Sequence, residues 1–187
     1  MYEQTDFEKG LIKFITEKLT AYFGLIDTLR NGGEEVDIDL QSSVHEFFRY
    51  LINSYMDQQN YILLPELYYC DKTGCYVDIV AVKPDKMEAY AFEVDININM
   101  KSARKLVEVG KVLRNRNLLK NIGKYRSYAI LISRPSKLDN KISKLCKKND
   151  SVIKFFNKNN IKFLYVSNIP FSTLVTPQLI SFYTISK

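Results

Sequence analysis

Residues 75–95 read CYVDIVAVKPDKMEAYAFEVD. Val77, Ile79 and Ala81 alternate with Asp78, Val80 and Val82. Beyond the polar KPDKM, Tyr90, Phe92, Val94 and Ile96 alternate with Ala89, Ala91, Glu93 and Asp95. Period-2 alternation on both sides of Pro-Asp-Lys predicts a β-hairpin. A turn centred between Asp85 and Lys86 pairs Asp78 with Glu93, Val80 with Ala91 and Val82 with Ala89. Asp95, two residues past Glu93, falls on the same face. Val77, Ile79, Ala81, Tyr90, Phe92 and Val94 form the other face. Both faces are mostly apolar, so other elements are expected to cover the hairpin on both sides.

Three carboxylates therefore gather at one end of a largely buried hairpin. Like charges opposed across a ladder destabilise it, and burying them is costly unless something compensates. A divalent cation held by oxygen ligands is the simplest compensation.

Working outward, Phe7, Leu11, Phe14, Ile15, Tyr22 and Ile26 recur at helical spacing, predicting an amphipathic helix from residue 5 to about 30. Gly24 is a possible bend or break in it, and Asn31-Gly32-Gly33 ends it. Asp39 is a reasonable N-cap for a second helix near 40–57, striped by Val44, Phe47, Phe48, Leu51, Ile52 and Tyr55. Glu46 projects away from that stripe and His45 borders it. Residues 61–70, YILLPELYYC, have strand composition, with Pro65 pointing to an edge or a bulge. The DKTG that follows turns this strand into the hairpin, completing a three-strand antiparallel meander that puts Glu66 and Leu67 near Ile79 and Asp78.

A helix near 101–119 follows, with Ala103, Leu106, Val107, Gly110 and Leu113 on its apolar face. Lys101, Arg104, Lys105, Lys111, Arg114 and Arg116 make most of the rest positive. Residues 125–133 predict an apolar strand, ended by Arg134-Pro135. The lysine-rich KISKLCKK and then SVIKFFNKN predict helices, and IKFLYVS a last strand. Strand, helix, strand in that order suggests a right-handed parallel crossover. The tail after Pro170 is apolar but irregular.

The chain has 187 residues and a net charge of +6, and its length suits one domain with its own core. Residues 1–100 carry 8 Lys/Arg against 18 Asp/Glu, whereas residues 101–187 carry 19 against 3. Such polarity suggests an anionic partner for the basic half, nucleic acid being the commonest; solubility and attraction between the halves are the alternative. No apolar run approaches the ~20 residues of a membrane span, and MYEQTDFEKG lacks a signal-peptide core. A soluble, intracellular (cytoplasmic) protein is expected. Cys70 and Cys75 could face each other across the DKTG turn as a disulfide or as two thiols. Cys146 and the sole histidine, His45, offer no zinc-ligand spacing.

The order α, antiparallel meander, α, β, α, β, with acids on the second and third strands, resembles the PD-(D/E)XK nucleases. This restriction-endonuclease-like superfamily includes archaeal Holliday-junction resolvases and related viral nucleases. The resemblance spans residues 38–167, leaving residues 1–37 as a helical extension and 168–187 as a tail of one domain. It implies an α/β fold: a three-strand meander extended by a β-α-β crossover, with helices on both faces. Asp78 matches the family's motif aspartate, with Val77 where proline is frequent, and Glu93 matches its (D/E). Both imply ligation of Mg²⁺ or Mn²⁺, with the carbonyl oxygen of Val94 as a third ligand. Asp95 stands where the family has lysine, so it becomes an extra ligand or a group that orients water. Lys101 and Lys105 are candidates for a migrated lysine, Lys105 being preferred because one turn into a helix it can reach back over the hairpin end. Glu46 is the counterpart of the resolvases' helix glutamate.

The implied activity is metal-dependent cleavage of branched DNA, such as Holliday junctions, or of duplex DNA by a homodimer. Lys101, Arg104, Lys105, Lys111, Arg114 and Arg116 would contact phosphates. A catalytically silent nucleic-acid-binding protein and a protein-interaction module are the other readings.

Overall fold

The computed structural model describes residues 4–34, 42–64, 76–95, 98–115, 123–132 and 151–166. Within them the order is α1 (Asp6–Asn31), α2 (Ser42–Gln58), β1 (Ile62–Leu64), β2 (Ile79–Lys83), a 3-10 turn (Pro84–Lys86), β3 (Glu88–Asp95), α3 (Met100–Asn115), β4 (Lys124–Ile132), α4 (Ser151–Lys158) and β5 (Ile161–Val166). The strands form one mixed sheet in the order β1-β2-β3-β4-β5. The β1–β2 and β2–β3 pairs are antiparallel, and β3–β4 and β4–β5 are parallel. The fold is thus mixed α/β, with four helices among the described residues. Cys70, Cys75, Cys146, Glu66, Leu67, Asp39, the lysine-rich segment before α4 and the tail after Pro170 lie outside those residues.

The hairpin has the register that its alternation predicts, from Ile79↔Phe92 through Val80↔Ala91 and Val82↔Ala89 to Lys83↔Glu88. Proline opens the 3-10 turn, and Met87 closes it at φ 52, its N–H donating to the Pro84 carbonyl at 3.0 Å. Ile79, Ala81, Tyr90, Phe92 and Val94 pack toward α1 and α2, while Val80, Val82, Ala89 and Ala91 pack toward α3 and α4. The hairpin is covered on both sides, as its two apolar faces require.

Two local expectations change. Asp78 sits in a bend just before β2 instead of inside the ladder. The bend carries Val77, 1% exposed, into the cluster on the α3 side, away from Ile79 and Ala81. The β1–β2 register is also one residue off: Leu64 lies opposite Val80, where the tight DKTG turn would have set it opposite Ala81. A one-residue slip exchanges the faces of a strand, and this pairing lets Leu64 pack on the α3-side cluster with Val80.

The helix expected as an extension is a layer of the core. Thr5 and Glu8 form a reciprocal capping box at its start, and Gly24 does not interrupt it. Leu11, Ile15 and Leu19 are 0–2% exposed against α2 and the sheet. A Cβ at Gly10 would collide with the Tyr55 hydroxyl, so glycine permits the close approach of α2. Glu8, 2% exposed, bonds across the molecule: Tyr128 donates its hydroxyl proton to Oε1 at 3.0 Å, and Lys162 donates to the same oxygen. The buried carboxylate is compensated by these donors and ties α1 to β4 and β5.

On the other face, Gly110 admits the ring of Tyr125, whose hydroxyl donates to the Leu106 carbonyl. A Cβ at Gly110 would meet that ring at 2.7 Å. Alanine at a helix interior gains about 1 kcal/mol in propensity, whereas overpacking costs roughly 1–3 kcal/mol. Gly110→Ala should therefore lower the thermal unfolding midpoint, by a few degrees in a circular-dichroism melt.

Candidate active site

The bend at Asp78 opens the hairpin ladder at its carboxylate end. Val94, beyond the last described pair, cannot complete its hydrogen bonds with β2, and buried peptide groups need partners. Its N–H donates to Asp78 Oδ2 at 2.7 Å. Its carbonyl oxygen lies 2.9 Å from Nε2 of His45, at the end of the first turn of the neighbouring α2. The same nitrogen is 3.5 Å from Asp78 Oδ2. Arg49, one turn further along α2, donates to the Asp78 carbonyl at 3.5 Å and to the two Glu46 oxygens at 3.0 and 3.3 Å. One face of α2 therefore grips the bend.

Glu93, 3% exposed, is the buried acid of the site. Lys105 Nζ donates to its Oε1. Its Oε2 is buried and has no hydrogen-bond partner among the described residues. Burial, and next the Asp78 charge, push its pKa up to about 7, with Asp95 adding to the rise and Lys105 opposing it. Glu93 thus feels the charge of both other acids at this end of the hairpin. Asp95, half-buried, closes β3 opposite Leu131 of β4.

Lys105 reaches Glu93 because α3 begins close behind β3. Asn99 caps that helix, its Oδ1 accepting from the N–H groups of Lys101 at 2.8 Å and Ser102 at 3.2 Å. Asn99→Ala should cost about 1 kcal/mol of stability, as the loss of an N-cap does, measurable by urea denaturation.

The other expected residues are dispersed. Lys101 and Arg104 are exposed on the first turns of α3. Lys111 is exposed and paired with Glu108 at 2.6 Å. The Arg114 side chain and all of Arg116 lie outside the described residues. The Glu46 side chain is 65% exposed and faces Arg49 and His45. Its slight desolvation is outweighed by the Arg49 hydrogen bond and charge and by His45, which together lower its pKa. Glu46 thus reaches the bend through its neighbours.

The sequence pattern places His45 on the border of the α2 stripe and does not single out Arg49. The signal available was their spacing of four, which puts both on one helix face.

Among the described residues, no three His, Cys, Asp or Glu side chains converge as a ready metal-ligand set. The donor set nevertheless fits a hard cation: the Asp78 carboxylate, the Val94 carbonyl and the Glu93 carboxylate, whose Oε2 is buried with no hydrogen-bond partner among the described residues. Mg²⁺ takes oxygen ligands and is commonly held by one or two carboxylates with waters and phosphate.

No protein-family model and no curated protein matches the chain. Among solved structures, a fdxN element excision controlling factor protein from Anabaena variabilis is similar at 12% identity, covering 65% of this chain and 91% of that one, with a TM-score of 0.31. No helix among the described residues is long and apolar enough to cross a membrane.

Proposed function

We propose that the chain is a metal-dependent deoxyribonuclease with a PD-(D/E)XK, restriction-endonuclease-like core. The observation that carries this reading is the meeting of Asp78, Glu93 and Lys105 at the open end of the hairpin, with Glu93 Oε2 orphaned in a buried position. The order α2, β1-β2-β3 meander, α3, β4, α4, β5 is the order on which the resemblance rests. Asp78, Glu93 and the Val94 carbonyl would hold Mg²⁺ or Mn²⁺. When bound, the cation supplies Lewis acidity toward a phosphate oxygen and lowers the pKa of water.

The chain's own residues do the rest. The rigid β3 strand fixes Glu93 and the Val94 carbonyl next to one another. Lys105 brings a positive charge to the same end, in the role of the lysine that Asp95 has displaced. Asp95 orients water as a third carboxylate. Lys101 and Arg104 offer exposed charges to the phosphate backbone. A homodimer acting on branched DNA is the form to test first.

The assay uses supercoiled plasmid and a synthetic four-way junction with Mg²⁺, Mn²⁺ or EDTA. Metal-dependent cleavage supports the reading. Salt-sensitive binding without cleavage in either metal supports a catalytically silent nucleic-acid-binding protein, which Asp95 at the lysine position favours as the second reading. The absence of both cleavage and salt-sensitive binding to any nucleic acid would leave a protein-interaction module.

A further inference from the structure

We propose that His45 is a latch on the metal site, one that a cation must displace to bind; this rests on the reading that Asp78, Glu93 and the Val94 carbonyl are the ligands. The contact that carries it is His45 Nε2 to the Val94 carbonyl oxygen at 2.9 Å. A carbonyl oxygen only accepts, so that ring nitrogen carries the hydrogen. A metal ligand must instead present a bare lone pair. In this position the imidazole is a competitor for the ligand atom.

Magnesium binds its oxygen ligands at about 2.0–2.1 Å, so a cation that takes the lone pair now accepting the Nε2–H would have to displace the ring. The same nitrogen is 3.5 Å from Asp78 Oδ2, so one ring covers both Asp78 and Val94. Glu93 Oε2, by contrast, has no hydrogen-bond partner among the described residues. One half of the site is latched, and the other offers a buried oxygen with no hydrogen-bond partner among the described residues.

The ring also has somewhere to go. Its side chain is 30% exposed, and its Nδ1 lies 3.4 Å from Oε1 of Glu46, which is 65% exposed. Swinging toward Glu46 and solvent would uncover Val94 and Asp78 without unpacking the core residues Phe48 and Leu51 of α2. The latch explains why α2 meets the bend with a polar face: the opened ladder needs a temporary donor for the Val94 carbonyl.

The test is Mn²⁺ titration calorimetry at one pH and ionic strength on wild type, His45→Ala, His45→Asn, His45→Gln and Glu93→Gln. Displacing one ordinary hydrogen bond corresponds to roughly a 3- to 10-fold change in Kd. His45→Ala should bind Mn²⁺ tighter by that factor. His45→Asn, too short to span the gap, should follow it and guards against a folding defect in the alanine variant. His45→Gln, which can still present an amide N–H, should stay near wild type. Unchanged Kd in His45→Ala and His45→Asn would overturn the latch and leave His45 as a structural cap. Weaker binding would overturn it in favour of His45 as a ligand. If neither wild type nor His45→Ala shows a Mn²⁺ site that Glu93→Gln removes, the metal-site reading fails, and the latch with it.

Discussion

Glu93→Gln is expected to lower metal-dependent cleavage of a four-way junction by roughly 10²- to 10³-fold, because a metal contributes several kcal/mol of transition-state charge stabilisation. Glutamine keeps the shape and one oxygen but removes the charge that would hold the cation. The loss should appear in single-turnover rates at saturating DNA, while junction affinity in EDTA changes little. Lys101 and Arg104, exposed on α3, are untouched by the substitution. A cleavage rate within threefold of wild type would remove Glu93 from the chemistry. Ordinary structural damage is separable, since the metal-free variant is expected to be more stable than wild type at alkaline pH.

That expectation comes from the second large effect, the pH dependence of the metal-free fold. Glu93 has an ordinary pKa of 4.5 and is pushed up to about 7, by burial first and then by Asp78. The folded chain therefore holds a proton that the unfolded chain has already lost between these values. Stability from this group is fully present below about pH 4.5 and falls as pH rises through about 7. The shift corresponds to about 3 kcal/mol between the two ends of that window. Urea unfolding in EDTA at pH 5.5 and at pH 8 should show the fall in wild type and much less of it in Glu93→Gln. Adding Mg²⁺ at pH 8 should restore stability, since a ligand that binds only the native state stabilises it. Equal pH profiles for wild type and variant would contradict the electrostatic description of the site.

The hairpin was legible from sequence because its alternation runs unbroken on both sides of Pro84, which fixes register and faces together. Lys105 was legible for a related reason: its distance from β3 and its place one turn into α3 limit where its amine can reach. The bend at Asp78 was not. Val77 is as apolar as Ile79 and Ala81, with which it alternates, so nothing in the pattern marks the point where it changes faces. The β1 register turned on one residue of an assumed tight turn, and a single-residue error is invisible to composition. His45 and Arg49 escaped notice because their role depends on a peptide group that the bend leaves without a strand partner. Tertiary context creates that need. Similarly, helical periodicity identifies α1, but the burial of Leu11, Ile15 and Leu19 and the Glu8 bonds to Tyr128 and Lys162 reveal that it belongs to the core.

The most direct measurement is anomalous diffraction from crystals soaked in Mn²⁺. A divalent cation within ligand distance of Glu93 Oε2, Asp78 and the Val94 carbonyl, with the His45 ring swung away, is the expected result. A fully soaked crystal with no anomalous peak at the hairpin end, and with Lys105 and His45 still on Glu93 and Val94, would contradict the metal site on which the proposed activity depends.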